Sequence, residues 1–407
     1  MKIAYLAPEL PSLSATFVYN EILELESMGT EIIPFSVHLP LSVIQESRIQ
    51  NLRKRCCFLY AQSKISVLKD NVYLLLTHPV RYFKTFKILC FDMWCVGLLS
   101  RTALGLVYRY FFAASLAKQL IKTQCQHIHV HFAHVPTDIA MYAASFSGIT
   151  FSVTAHANDI FERGWLLKEK VQRSSFFATI SEFNQRYLVS QGVDADKVRI
   201  IRCGVDAVQF SKRQGFISNQ PIKIGAVGRL VEKKGFDSLI KSVALLKNQG
   251  QLVELLIAGD GPLQGSLVGL MKDLELLETD VHFLGAMPHK LVADFIKSLD
   301  IFVLPCKKDN NGDMDGIPVV LMEAMLSGVP VISTQLSGIP ELVINKETGL
   351  LAQPENTQEL ADAISSIIVD TELRGRMVKN AISHVKKEFS LQGNAEKLKN
   401  LFSTVVT

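Results

Sequence analysis

Four sets of residues in this 407-residue sequence carry chemistry in their types and spacing. The first is Asp315-Gly316-Ile317-Pro318-Val319-Val320-Leu321-Met322-Glu323-Ala324-Met325-Leu326-Ser327-Gly328. Pro318 stands where a first helical residue belongs and Gly328 where a left-handed terminator does, so a short helix over about Pro318 to Ser327 is expected. Its N-terminus points free amides beyond Gly316, toward a space that Asp315 also faces. Glu323 lies between one and two turns into the helix, so the two carboxylates reach different parts of one ligand. A solvated Glu323 is the plain alternative, but its helix is almost wholly apolar, and an acid there without a partner is costly. The second set is Gly228-Arg229-Leu230-Val231-Glu232-Lys233-Lys234-Gly235, between a strand and a helix. A departing diphosphate gathers negative charge, and without a metal that charge must meet groups such as Arg229, Lys234 and helix-terminal amides. Glycine at 228 permits close backbone approach. Alone, the same residues read equally well as a solvated basic loop.

The third set is His127, His129 and His131, which alternate and so share one face of a strand. A metal site would need a fourth ligand, for which His134 is the near candidate. Histidines satisfied by hydrogen bonds are the reading adopted, with no metal assigned. The fourth set is Pro8-Glu9-Leu10-Pro11-Ser12-Leu13-Ser14-Ala15-Thr16-Phe17, whose small residues admit a phosphate or sugar to the backbone or simply form a loop.

The elements that must position these residues alternate. Strand patterns at 2–6, 31–37, 128–132, 150–155, 176–180 and 198–202 are separated by helical stretches. A second series follows at 222–227, 253–258, 281–284, 301–304, 329–333 and 350–352. Strands joined by helices imply right-handed crossovers and parallel sheets, so the fold class is α/β. Such sheets bind ligands outside the carboxyl ends of their strands. The length calls for two domains, with a polar boundary between Asp206 and Gln220. The expected organisation is a first domain over 1–210, a second over 221–389, and a capped helix over 390–407 that packs back on the first.

Hydrophobic residues make up 48% and charged residues 20%, which excludes wholesale disorder, and a net charge of +4 gives no reason to invoke nucleic acid. The seven cysteines are scattered, without zinc-ligand spacing, and fit a reduced, cytoplasmic setting. No charged leader and apolar core precede Lys2-Ile3-Ala4-Tyr5-Leu6, so export by that route is not expected. Residues 61–122 break the alternation. They hold nine basic residues against two acidic ones, Asp70 and Asp92, leaving a local +7 within the chain's +4. Interleaved with Tyr82, Phe83, Phe86, Phe91, Trp94, Tyr108, Phe111 and Phe112, this is the mix of helices lying in a membrane interface. No run reaches the ~18 apolar residues of a spanning helix. Core helices with a solvated basic face are the alternative.

Residues 315–328 resemble the Glu-x7-Glu signature of the family 4 retaining glycosyltransferases, and Ser333-Thr334…Gly338-Ile339-Pro340-Glu341-Leu342-Val343 continues the pattern. Gly228-Arg229…Lys234, Ala258-Gly259-Asp260-Gly261-Pro262 and Thr154-Ala155-His156-Ala157-Asn158-Asp159-Ile160-Phe161 extend the resemblance over nearly the whole chain. The last segment, with His129-Val130-His131-Phe132-Ala133, is similar to bacterial exopolysaccharide transferases of the colanic acid and amylovoran type. The resemblance implies a GT-B fold, two Rossmann-like domains facing across a cleft. It also implies a retaining, metal-independent transfer from a nucleotide diphosphate sugar to a lipid-linked glycan, with no cofactor, at the inner face of the cell membrane. Arg229 and Lys234 would then bind the diphosphate and Glu323 the ribose. Gly316 and Ile317, ahead of Pro318, would offer backbone amides to the donor, and His156 would reach the sugar from the opposite domain. Front-face departure and attack is favoured over a covalent intermediate. Asp315 departs from the family's Glu, and its carboxylate retreats by ~1.5 Å; Cys203 likewise replaces a common Asn. A nucleotide-sugar epimerase, a sugar phosphorylase and a non-catalytic sugar-binding protein are the alternatives on this fold.

Overall fold

The computed structural model describes residues 1–12, 15–40, 46–210 and 221–406. The chain forms two compact units, one of Met1–Arg202 with Leu391–Thr407 and one of Cys203–Ser390. Most of the polar boundary expected over 206–220 lies outside the described residues, as do Leu13 and Ser14 of the N-terminal loop.

The first unit contains β1 (Lys2–Glu9), β2 (Glu31–His38), β3 (Cys57–Phe58), β4 (His127–His131), β5 (Thr150–Ala155), β6 (Phe177–Thr179) and β7 (Val198–Ile200). They form one parallel sheet in the order β3-β2-β1-β4-β5-β6-β7. Helices cover both faces, so β1 is buried from Ile3 to Ala7, as a near-continuous apolar run requires. The second unit contains β8 (Ile222–Val227), β9 (Val253–Ala258), β10 (Val281–Gly285), β11 (Ile301–Val303), β12 (Val331–Thr334) and β13 (Leu350–Ala352), ordered β10-β9-β8-β11-β12-β13 and again parallel. In each sheet the order reverses once, between β1 and β4 and between β8 and β11. Crevices at the carboxyl ends of such strand pairs are where doubly wound sheets take ligands.

The final helix, Leu391–Val405, belongs to the first unit, where Ala395, Leu398 and Phe402 join a core with Ile3, Tyr5 and Ile22. The basic stretch forms three helices, Lys64–Thr77, Pro79–Cys95 and Arg101–Thr123. Ser63 and Ser100 cap the first and third through the amides of Ser66 and Ala103, and Pro79 opens the second. The third is not a surface element throughout: Leu106, Tyr110 and Ala113 to Ala117 are buried, and it packs against the helix Val135–Ser147. Both acids of the stretch are also interior. Asp70 accepts from Lys118 at 2.5 Å, and Asp92 takes both guanidinium nitrogens of Arg173 at 2.8 and 2.9 Å and the Tyr142 hydroxyl at 2.9 Å. Arg109 pairs with buried Asp138 at 2.9 Å, and Arg81 donates to Ser147 O at 2.6 Å. The basic excess is therefore partly internal. The exposed cations are Lys64, Lys69, Arg81, Lys84, Lys87, Arg101 and Lys122, interspersed with Leu76, Val80, Phe83, Trp94 and Leu99, the last 98% exposed. No helix among the described residues is long and apolar enough to cross a membrane.

Candidate functional site

In the second unit the segment after β8 is held against two others by backbone contact. Gly228 N donates to Ala258 O (3.0 Å), Leu230 N to Asp260 O (2.8 Å) and Leu263 N to Leu230 O (3.1 Å). A Cβ on Gly259 would sit 1.9 Å from Gly228 O, and one on Gly235 would sit 1.9 Å from Pro305 O; both have positive φ, 145° and 68°. These glycines exist for loop-to-loop approach. A Cβ on Gly228 would meet only side chains at ordinary contact distance, Lys234 at 3.5 Å and Phe236 at 3.6 Å.

Lys234 Nζ lies 2.7 Å from Asp315 Oδ2, while Lys233 Nζ bridges Asp313 at 2.8 Å and Asp315 at 3.4 Å. The Cys306 thiol donates to Asp315 Oδ2 at 3.4 Å. Burial opposes every one of these charges, but the pairing outweighs it: Asp315 is held below the usual carboxylate range and both lysines above theirs. Burial, with Asp315 beside it, pushes the Cys306 thiol far up, so it stays a neutral donor. Arg229 is exposed and makes no ion pair among the described residues. Asp315 and Gly316 are fixed by Ser337, whose hydroxyl donates to both carbonyls, to Gly316 O at 2.9 Å. Ser333 and Thr334, at the end of β12, donate to Leu304 O (2.7 Å) and Cys306 O. Gly316, Ile317 and Pro318 are buried.

The helix runs Val319–Leu326, so Pro318 is its cap and not its first residue; its ψ of 123° is extended, whereas a first helical residue needs helical ψ. Gly328 has φ 75°, as a terminator should. Glu323 is buried on this helix.

In the first unit, strand alternation puts the histidines of β4 on one buried face. His127 contacts the hydroxyls of Thr150 and Ser152, each at 2.7 Å, and His129 those of Ser152 (2.8 Å) and Thr154 (3.0 Å). His131 Nδ1 lies 3.1 Å from His156 Nε2, and its Nε2 faces Glu21 Oε1 at 3.0 Å and the Tyr5 hydroxyl at 3.2 Å. Tyr5 in turn donates to Glu21. Burial holds His127 at about 3 and pushes His129 and His156 well below the ordinary imidazole value. His134 is also held at about 3, by burial and then by Arg163 and Lys170; it stacks on Phe132. His156 follows β5, its ring 4.6 Å from those of Phe17 and Phe132. Its backbone is fixed by Asp159, whose carboxylate accepts from the amides of His156, Ala157 and Ala133 at 2.6–3.2 Å. One ligand atom each from Glu21, His129 and His131 lies within 4.8 Å of the others, the grouping a metal would use, but both ring nitrogens of His129 already face hydroxyls.

Of the residues singled out from sequence, Lys234, Asp315 and Gly316 come together, and His156 sits beside the β4 histidines. Glu21, Tyr5, Lys233, Asp313 and Ser337 were not anticipated. Glu21 had a signal, since it shares the inward face of the helix Thr16–Ser27 with Val18, Ile22 and Leu25.

Residues 96–209 match the model of Glycosyltransferase Family 4, and residues 208–384 that of Glycosyl transferases group 1. The chain thus carries both glycosyltransferase domains, which together take in residues 96–384. The chain is 37% identical over 212 residues to the amylovoran biosynthesis glycosyltransferase of Erwinia amylovora, covering 51% of this chain and 52% of the relative. It is 36% identical over 222 residues to a protein named for colanic acid biosynthesis in Escherichia coli K12, 54% of each. The match thus spans about half the length of these curated relatives. The Anabaena protein HepE in complex with UDP-glucose superposes with a TM-score of 0.71 at 17% identity, over 99% of this chain and 100% of that one, which establishes the fold as the paired Rossmann-like GT-B type.

Proposed function

We propose that the chain is a retaining, metal-independent glycosyltransferase of polysaccharide biosynthesis, moving a sugar from a nucleotide diphosphate sugar to a lipid-linked glycan at the cytoplasmic face of the membrane. The observation that carries this reading is the cationic segment Gly228–Lys234, set at the switch point of its sheet beside Asp315 and the start of the helix Val319–Leu326. A diphosphate placed there meets Arg229, the two lysines and the amides of Gly316 and Ile317, all of which stabilise charge that grows as the bond to the sugar breaks. Glu323 is assigned to the ribose hydroxyls. In the front-face route the electron pair of the C1–O bond leaves with the phosphate, and the acceptor oxygen bonds C1 on the same face. The hydroxyl proton passes to a phosphate oxygen. His156 is assigned to the transferred sugar, which it orients. The Erwinia and Escherichia relatives are named for exopolysaccharide synthesis, and HepE holds UDP-glucose, which supports the donor class. The exposed Val80, Phe83, Trp94 and Leu99, among lysines, support an interfacial surface.

The test is transfer from a panel of nucleotide sugars to a lipid-linked acceptor in the presence of chelator. Activity should persist, and Lys234→Ala and Arg229→Ala should each lower turnover on the order of 100-fold. Loss of activity on chelation, restored by a divalent ion, would replace the cationic segment with a metal. The protein should sediment with anionic vesicles, less so as salt rises and less again with Lys84 and Lys87 changed to Gln. Indifference to such vesicles at low salt would remove the membrane and leave the transfer.

A further inference from the structure

The helix Val135–Ser147 begins just beyond the carboxyl end of β4, and its first turn is open. No side chain caps it, and the amides of Val135 and Thr137 have no acceptor among the described residues. The polar side chains of that turn are committed elsewhere. The Thr137 hydroxyl donates to Phe132 O at 2.8 Å, and Asp138 takes Arg109 and Lys170, each at 2.9 Å, and the Trp165 indole at 3.1 Å. Thirteen residues of aligned peptide dipole therefore end on unpaired N–H groups.

The residue at that end is His134, whose side chain is nine-tenths buried and whose Nδ1 has no hydrogen-bond partner among the described residues. A buried ring nitrogen requires a partner in either tautomer, so this one points to a group the chain does not itself supply. Positive charge surrounds it. After burial, Arg163, Lys170, Arg109 and His38, in that order, oppose a proton on His134. Lys170 and Arg109 share one acid, Asp138, and the other acid beside them, Asp159, is occupied by three backbone amides. Arg163 is exposed and has no ion pair among the described residues. Cations thus outnumber acids where the open helix end and the orphaned nitrogen lie together. The groups come from the ends of three strands: His38 closes β2, His134 follows β4, and Arg163 follows β5 by way of the helix Asn158–Phe161. Phe132 joins this place to His156, its ring stacked at 13° and 5.7 Å from that of His134 and 4.6 Å from that of His156.

We propose that His134, the first turn of Val135–Ser147 and Arg163 form an oxyanion site in the first unit, which takes a phosphate or carboxylate group of the sugar acceptor. An oxyanion there accepts from the open amides, pairs with Arg163 and gives His134 Nδ1 its partner. Held so, the acceptor presents its nearby hydroxyls beside His156, to which the transferred sugar is assigned. The acceptor role rests on the proposed transfer, whereas the oxyanion site does not.

The experiment is nitrogen-15 NMR of the full chain labelled at histidine, titrated with inorganic phosphate and, separately, with glucuronate. His134 is identified by the signals missing in His134→Gln. Its ring signals should change saturably with either anion, and its titration should move to higher pH, because a neighbouring anion favours the protonated ring. Arg163→Gln, at an exposed position, should keep the fold and weaken that response about 10-fold. A His134 ring indifferent to both anions overturns the site, as does a response that Arg163→Gln leaves intact. Kinetics then separate the two sources of the oxyanion. In Arg163→Gln acceptor KM should rise about 10-fold with donor KM unchanged. A rise confined to a diphosphate-linked acceptor assigns the site to phosphate, and one confined to a uronate-bearing glycoside assigns it to a carboxylate. An equal rise for a neutral alkyl glycoside, or no rise for any acceptor, overturns the acceptor role. If His134 responds to the anions but the chain transfers no sugar, it is the transferase reading that fails.

Discussion

The two units place polar groups in similar sheets by opposite means. In the first, the histidines of β4 and His156 are buried and matched to hydroxyls, to one another and to a single carboxylate. In the second, Lys233, Lys234, Asp313 and Asp315 keep full charges in mutual contact near the surface. His127, His129 and His156, kept neutral, tolerate burial because each ring nitrogen needs only one partner. A charged cluster survives because opposite charges outweigh desolvation, and it keeps cations ready for an anion. On the proposed function, the difference separates a region that orients a neutral sugar from one that receives a phosphate.

The largest expected effect tests what supports the charged region. Gly259→Ala should cost the second unit about 3 kcal/mol or more, because its Cβ meets Gly228 O at a φ that alanine rarely adopts. Gly228→Ala, with Lys234 and Phe236 in ordinary contact, should cost far less. Urea unfolding followed by far-UV circular dichroism measures both. Equal effects would mean that the loop contact is not what fixes the cationic segment.

Next in size is Asp315→Asn, which strips Lys233 and Lys234 of their shared counter-charge. A loss of about 1–3 kcal/mol is expected in the same assay. No change would place these lysines in the class of solvated surface pairs.

The smallest effect concerns acid. In the unfolded chain histidine takes up a proton near 6.5, whereas His127 in the folded first unit does so only at about 3. The unfolded state therefore binds more protons between these values, and the first unit loses stability as pH falls through that window. Asp315 acts in the same direction but in a lower window: its contribution is present above the ordinary carboxylate pKa of 3.8 and is lost only below it, as pH falls through its depressed folded value. The first unit should thus yield at milder acid. Both tryptophans, Trp94 and Trp165, lie in it, so tryptophan fluorescence should change before the circular dichroism of the whole chain completes its transition. Coincident transitions below pH 4 would erase the contrast.

Both sheets were legible from strand-like runs separated by helices, because parallel strands buried on two faces are apolar throughout. Strand boundaries moved by up to three residues, and the two-residue β3 gave no periodic signal. Arg229, Lys234, Asp315 and His156 stood out because charged or titratable side chains flank glycine or small residues just after strands. Their partners did not. Ser337 reaches Gly316 across 21 positions, and Glu21 reaches His131 across 110, distances that only the fold closes. Composition over 61–122 hid a sorting by face. Asp70 and Asp92 turn inward to Lys118 and Arg173, so the net count misstated which charges meet solvent.

The helix Leu391–Val405 sets the order in which the chain can be completed during synthesis. Phe402 lies 5.8 and 5.1 Å from the rings of His127 and His129, so the core behind β4 lacks one wall until the ribosome has passed residue 402. The unit translated second, Cys203–Ser390, has by then emerged whole and can finish first, the reverse of the usual N-to-C succession. Until Phe402 is available, the first unit must wait with its sheet formed and that apolar wall open.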